Sequence, residues 1–398
     1  MSRTRIVFFL AAAIFLCGCS NLGFYGGRLD KYTGEAYVKA YTETPAEKSV
    51  KETREQGEGQ FKEQQAQTES LEESQAATEA VLENTNQAVL LFAGDVLLSD
   101  HVLNAYNKGG GISGVLDHGY REEIEQADYF IANQEFPFSN RGQAAEDKQY
   151  TFRLPEEKVS ILNEMNIDLV TLANNHALDF GTDALLDTCR VLDQAGIKHV
   201  GAGANLEEAK KPEITDITGI KIGFIGASRK IPVPEWAAGK NSPGMLVSYD
   251  PAQLTALIEE TKPQCHILVV YIHWGEEREE MPEEYQKTLG RQCIDAGADI
   301  VIGSHPHVLQ GIEYYQGKPI VYSLGNFVFG SSIPKTMLLK VKIEDDQTRL
   351  SLIPGTSSAG YTRKLEDETA VKEFYDYIET ISFGITVDED GRVNEGKE

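Results

Sequence analysis

Leu169-Val170-Thr171-Leu172-Ala173 is an apolar run of strand length, and it stops abruptly at Asn174-Asn175-His176, with Asp179 and Gly181 just beyond. A buried strand that ends in polar, chemically capable side chains recurs on both sides of it. Upstream, Val89–Phe92 runs into Gly94-Asp95, and Tyr129–Ala132 runs into Asn133-Gln134-Glu135. Downstream, Ile267–Ile272 runs into His273-Trp274-Gly275-Glu276, and Ile300–Ile302 runs into Gly303-Ser304-His305-Pro306-His307. Lys221–Ile225 is a further run without such an ending. Helix candidates lie between the runs at Pro155–Met165, Thr182–Gln194, Pro251–Thr261 and Glu283–Ala296. Pro155 suits a first helical turn, and Gly196 and Gly297 suit helix ends. Strands alternating with helices predict a layered α/β domain. The last part reads differently: Ile312–Tyr315 and Pro319–Tyr322 form a hairpin pattern, followed by strands over Met337–Ile343 and Leu350–Ile353. These are expected to extend a mixed sheet or close a sandwich.

In open α/β sheets, ligands bind at the carboxyl ends of the strands. Five strand ends therefore deliver carboxylate, amide and imidazole groups to one rim. Each group alone is a weak signal, since a Gly-Asp pair usually marks a turn. Their convergence is what carries weight. Four of the eight histidines (His176, His273, His305 and His307) fall at these ends. In the His-Pro-His triplet, alternation along an extended segment lets two imidazoles reach neighbouring metal positions. His101, His118, His199 and His266 read as surface or packing residues, with His101 kept in view because it closely follows Asp95. Mixed Asp/Glu, Asn and His donors suit one or two divalent ions such as Mn, Fe or Zn. A pair of ions about 3.5–4 Å apart would activate a water against a phosphorus or carbonyl centre, and His176 would protonate the leaving group.

The rest of the chain sets the context. Among 398 residues, 62 Asp+Glu stand against 37 Lys+Arg. That balance excludes general nucleic-acid binding, which calls for a basic footprint. It also requires local donors for any anionic substrate. Arg3 and Arg5 precede an apolar run from Ile6 to Leu16, too short to span a bilayer at roughly 20 residues. The run ends in Leu16-Cys17-Gly18-Cys19, which resembles a bacterial lipobox. On that reading residues 1–18 are a leader, Cys19 is lipidated, and the body lies on the outer face of the cell membrane; the alternative is an uncleaved N-terminal anchor. Glu43–Asn86 is rich in Glu, Gln, Thr, Ser and Ala, and it reads as a flexible spacer or a solvated helix. As a coil it would reach about 35–40 Å. Cys189, Cys265 and Cys293 offer no disulfide framework and read as small buried hydrophobes.

The motifs in this order resemble the bacterial capsule-synthesis CapA family. The matching residues are Phe92–Val96, Asn133–Glu135, Tyr150–Pro155, Leu172–Gly181, His273–Glu276, Gly303–His307 and Tyr322–Phe327. The resemblance implies a calcineurin-like metallophosphoesterase fold, a four-layer α/β/β/α sandwich over residues 87–330, completed by C-terminal strands and a tail over 331–398. It implies metal ligation by Asp95, Glu135, Asn175, His273, His305 and His307, with His176 and Asp179 as the catalytic pair. Asn133, Arg153 and Asn326 are then expected to contact substrate, Arg153 through its positive fork. Calcineurin-like enzymes open with an Asp-X-His block, whereas Val96 and Leu97 follow Asp95 here. One ligand of that block is missing. The implied role is synthesis or export of poly-γ-glutamate or a related anionic envelope polymer, alongside capsule synthase or export subunits. The function is either that of a metal-dependent hydrolase or that of a non-catalytic polyanion-binding subunit.

Overall fold

A computed structural model of the chain describes residues 87–344 and 347–396. Cys19 and the spacer Glu43–Asn86 lie outside the described residues.

In chain order the first four strands are β1 (Gln87–Val96), β2 (Tyr129–Gln134), β3 (Leu169–Thr171) and β4 (Lys198–Val200). Then come β5 (Glu213–Ile217), β6 (Ile220–Ser228), β7 (Ile267–His273) and β8 (Ile300–Ser304). The remaining strands of the two main sheets are β9 (Leu309–Tyr315), β10 (Lys318–Leu324), β11 (Asn326–Val328), β12 (Ser332–Glu344), β13 (Gln347–Ser358) and β14 (Tyr361–Lys364). Helices α1 (Asp100–Gly109), α2 (His118–Glu125), α3 (Val159–Glu164) and α4 (Gly181–Ala195) fall in the first half, followed by α5 (Ala252–Thr261), α6 (Glu284–Asp295) and α7 (Glu368–Ile381).

One sheet has the order β14-β13-β12-β1-β2-β3-β4, with β11 also paired to β1; the other has the order β9-β10-β8-β7-β6-β5. Strands β1 to β4 run parallel, as do β6, β7, β8 and β10. Period-two alternation buries both faces of each strand, which is why the runs read as continuously apolar. Leu90 and Phe92 of β1 meet Val269 and Tyr271 of β7 in the core between the sheets. Leu91 and Ala93 turn outward onto Val102, Ile124, Leu162 and Leu185 of α1 to α4. On the far side, Leu268, Val270 and Ile272 pack on Leu254, Ile258, Leu289 and Cys293 of α5 and α6. Helix, sheet, sheet and helix make the four layers expected. Each fully buried Leu or Ile contributes about 1.5–3 kcal/mol relative to exposure.

The C-terminal strands complete the sheet that β1 opens, since β12 pairs antiparallel with β1 from Gln87↔Glu344 to Phe92↔Leu339. The helix expected from Pro155 starts later. Pro155 sits at ψ 146°, outside the helical region, and a 3-10 turn at Glu156–Lys158 precedes α3. Gly196 ends α4 in the left-handed conformation at φ 79°, as a C-terminal glycine should. Cys293 is buried, whereas Cys189 and Cys265 are half-buried, and all three are free. No helix among the described residues is long and apolar enough to cross a membrane.

Candidate metal centre

The parallel strands deliver their C-terminal ends side by side. Asp95 on β1 is the register partner of Asn133 on β2, and His273 at the end of β7 is the partner of Ser304 on β8. Glu135 follows β2 directly, Asn175 and His176 lie between β3 and α4, and His305 and His307 follow β8. Asp95, Glu135 and His273 are completely buried, and one ligand atom from each lies within 4.8 Å of the others.

Around His273 the donors converge closely. Its Nε2 is 2.9 Å from Asn175 Oδ1 and 3.5 Å from Glu135 Oε1. Its Nδ1 lies 3.0 Å from Ser304 Oγ, and the rings of His273 and His305 are 4.6 Å apart. On the other flank, His307 Nδ1 is 3.1 Å from Asp95 Oδ2 and 2.9 Å from Asn326 Oδ1. His305 and His307 both hold positive φ, 102° and 61°. That is a costly conformation for branched-out side chains, and it tends to occur at functional sites.

Two buried atoms in this cluster have no hydrogen-bond partner, Glu135 Oε2 and His305 Nδ1. An unpaired buried polar atom costs about 1–3 kcal/mol, so a ligand for them is the economical explanation. The electrostatics agree. Burial and the adjacent Asp95 push the Glu135 carboxyl well above its usual range. Burial and neighbouring imidazoles hold His273 and His305 well below theirs. Burial also acts to lower His307, but the Glu135 and Asp95 carboxylates outweigh it and hold the imidazole at about 10. Facing carboxylates with the neutral imidazoles of His273 and His305 beside them form a donor set for a divalent ion, whose charge would relieve both carboxylates.

Beside the cluster stands a second constellation. His176 Nδ1 lies 2.8 Å from Asp179 Oδ2, and the ring packs against Phe152 at a tilt of 39° with centroids 4.6 Å apart. Asp179 is completely buried and also accepts from Phe152 N at 2.7 Å. Its other oxygen pairs with Lys148, whose ammonium also reaches the Asn175 carbonyl and comes within 3.0 Å of His176 Nδ1. An ionised Asp179 requires Nδ1 to carry the proton, because two lone pairs cannot face each other at that distance. The ring nitrogen facing away, Nε2, is left free. Burial pulls the His176 imidazole below its ordinary range despite Asp179.

Not every expected residue has the surroundings its expected role requires. Asn133 is buried at the centre, where its amide donates to Asp95 Oδ1 at 2.8 Å and Glu135 Oε1 at 3.1 Å, while its oxygen accepts from Asn174. It braces the carboxylates and is out of a substrate's reach. Arg153 is exposed, with Nη1 donating to the carbonyls of Arg141 and Gly142 and the guanidinium 4.1 Å over the Phe180 ring, and none of these contacts reaches the carboxylate–imidazole cluster. His101 is exposed on α1 and touches none of the ligands. Lys148 carried no sequence signal. It lies in an irregular polar stretch 27 to 31 residues from its partners.

The family profile for bacterial capsule synthesis protein PGA_cap matches residues 89–331. The chain is 37% identical over 251 residues to the PGA biosynthesis protein CapA of Bacillus subtilis, covering 62% of this chain and 64% of that protein. It is 31% identical over 279 residues to the capsule biosynthesis protein CapA of Bacillus anthracis, covering 67% and 66%. The matched segment thus spans just under two thirds of the length of either relative. Among solved structures, the sulfate thiohydrolase SoxB of Thermus thermophilus is similar at 12% identity and a TM-score of 0.38, over 74% of this chain and 60% of that one. With the family profile matched across more than half its length, the chain belongs to the bacterial capsule synthesis protein PGA_cap family.

Proposed function

We propose that this protein is a metal-dependent hydrolase of capsule or poly-γ-glutamate synthesis, held by a lipid at Cys19 on the outer face of the cell membrane. The observation that carries the hydrolase reading is a buried carboxylate with an orphan oxygen, Glu135 Oε2, set beside an oriented His176–Asp179 pair. Asp95, Glu135, Asn175, His273, His305 and His307 would hold one or two divalent ions, Mn, Fe or Zn. Such an ion supplies Lewis-acid polarisation of a substrate or water oxygen. The chain's own residues do the remainder. Asp179 fixes the His176 ring through Nδ1–H, so Nε2 presents a lone pair that can take a proton from the attacking water and then return it to the leaving group. Burial, with Lys148 offsetting the Asp179 charge, favours the neutral imidazole from which His176 starts. Asn133 keeps the two carboxylates apart by donating to both.

The substrate class is an anionic envelope polymer with phosphoester or amide links. Support comes from the family and from the names of the two relatives, both of which concern capsule or PGA biosynthesis. Capsule synthase or export subunits are the expected partners. Passive gripping of the polymer by Arg153 is the weaker reading, since no contact of that side chain reaches the carboxylate–imidazole cluster. The test is elemental analysis of the purified protein, followed by hydrolysis of a chromogenic phosphodiester and of poly-γ-glutamate with and without chelator. Protein that neither contains nor takes up Mn, Fe or Zn removes the hydrolase reading. Labelled palmitate incorporated by cells expressing the wild type and lost in Cys19→Ser tests the anchor; equal labelling in both removes it.

A further inference from the structure

The imidazole that an Asp-X-His block would supply is absent, because Val96 and Leu97 follow Asp95 and both are buried apolar side chains. Another strand brings a donor to that corner. Asn326 opens β11, which runs parallel to β1 with Asp95 and Asn326 as register partners. Their side chains therefore leave the sheet on the same face. The two backbones are held unusually close. Asp95 N–H donates to the Gly325 carbonyl at 2.8 Å, and a Cβ at Gly94 would come within 1.8 Å of that same oxygen. Only glycine at position 94 permits the approach.

His307 Nδ1 then faces two oxygens at once, Asp95 Oδ2 at 3.1 Å and Asn326 Oδ1 at 2.9 Å. A ring nitrogen carries at most one proton, so as a donor it could serve both oxygens only through one shared, three-centre bond. Donors bound to one ion at about 2.1 Å and at right angles stand about 3.0 Å apart, which is the spacing found. The orphan Glu135 Oε2 lies 4.0 Å from His307 Nε2, the ring nitrogen opposite the one that faces Asp95 and Asn326. Glu135 Oε1 points the other way, towards His273.

We propose that the side-chain carbonyl of Asn326 is a metal ligand that takes the place of the missing imidazole, forming an ion position with Asp95 and His307. The inference rests on the metal-centre reading above and goes beyond it by assigning the ligand. Two oxygen donors to one imidazole favour a harder ion such as Mn²⁺ at this position. The neighbouring set of Glu135, Asn175, His273 and His305 is richer in nitrogen and suits Zn or Fe better. His101 takes no part.

The test is calorimetric titration of the metal-free full-length protein with Mn²⁺, with elemental analysis of the product. The wild type should bind two ions. Asn326→Leu should lose one of them or bind it at least about tenfold more weakly. Asn326→Asp is nearly isosteric and still ligating, so it should keep both. Two ions held with unchanged affinity in Asn326→Leu would overturn the assignment, as would a folded Asn326→Asp that behaves like the leucine variant. A wild type that binds only one ion overturns it too, with the metal centre intact, whereas a wild type that binds none removes the metal-centre reading itself. Mn²⁺-soaked crystals of the unaltered protein give a second readout. Anomalous density within about 2.3 Å of Asn326 Oδ1 supports the ligand, and density that avoids this oxygen rejects it.

Discussion

At the N-terminal ends of the parallel strands, Asp128, Asp168 and Asp299 repeat one device. Each donates its backbone N–H to a carbonyl on the neighbouring strand (Val89, Phe130 and Leu268) and accepts that residue's N–H on its carboxylate at 2.8 Å. His266 does the same for Lys221 with its ring nitrogen. At the C-terminal ends of the same strands, Asp95, Glu135, His273 and His305 are packed against one another, and two of their polar atoms have no partner. The same residue types serve opposite purposes at the two ends. Where every donor meets an acceptor, a charged residue fixes strand register. Where a buried oxygen is left over, the fold has kept a place for something outside the chain. Orphan atoms occur elsewhere too, Tyr129 Oη and His199 Nδ1 among them, but the strands' C-terminal ends combine them with clustered carboxylates and imidazoles.

The largest expected effect comes from removing the charge at the centre of the cluster. Glu135→Gln keeps size and shape but removes the charge shared by both flanks of the cluster. It should abolish metal uptake and lower hydrolysis by more than the roughly 100-fold that outer-shell changes cost. Elemental analysis alongside turnover checks this, and full metal content in the variant would break the contrast between the two strand ends. His176→Ala should retain its metal yet lose about 10²–10⁴-fold in turnover, the usual contribution of a general acid or base. A variant that loses metal and activity together would make His176 part of the ion cage and not a proton carrier.

The C-terminal ends of the strands were open to sequence reasoning and the N-terminal ends were not, and the reason is geometric. A parallel sheet buried on both faces produces unbroken apolar runs, and each run points at its own C-terminal polar group. Asp95, Glu135, Asn175, His273, His305 and His307 were therefore readable as a set from spacing and order. The structure brings all six to one rim. What spacing cannot reveal is which polar atoms satisfy each other. Arg153 looked like a site residue because a guanidinium in a loop carries no mark of the backbone carbonyls it will meet. Asn133 looked exposed to substrate because its burial arises from Asn174, 41 residues away. Asn326 acquires its importance only through the β1–β11 register.

Lys148 is the sharpest case, because nothing local announces it. Its ammonium is mostly buried and is the cation paired with the completely buried Asp179. Lys148→Met should leave that carboxylate without its counter-charge, at a cost of about 3 kcal/mol in a denaturant titration. The His176–Asp179 pair should lose its resting arrangement as well, with turnover falling about tenfold while metal content holds. Lys148→Arg should recover part of the stability, because a guanidinium can also pair with Asp179. If Lys148→Met matches the wild type in both stability and turnover, the lysine is a bystander.

The smallest effect tests the quiet end of the strands. Asp299 is flanked by Lys262 and Lys318, so Asp299→Asn should cost about 1 kcal/mol, typical of partly exposed pairs and hydrogen bonds. Asp168 has no such cation, and burial raises its carboxyl above the usual range against the pull of the Phe130 N–H. The folded state therefore holds that proton more tightly than the unfolded chain does. The resulting stability is fully present in acid and is lost as the pH rises through the unfolded and then the folded value. Asparagine has no proton to lose, and its side-chain oxygen still accepts from Phe130 N. Relative to wild type, Asp168→Asn should become more stable as the pH is raised from about 4 to neutrality. The gain should be only a few tenths of a kcal/mol, because the site is partly open to solvent. Urea titrations of both proteins across that range check the sign. A variant that instead loses ground as the pH rises would mean that the ionised carboxylate itself holds β2 against β3.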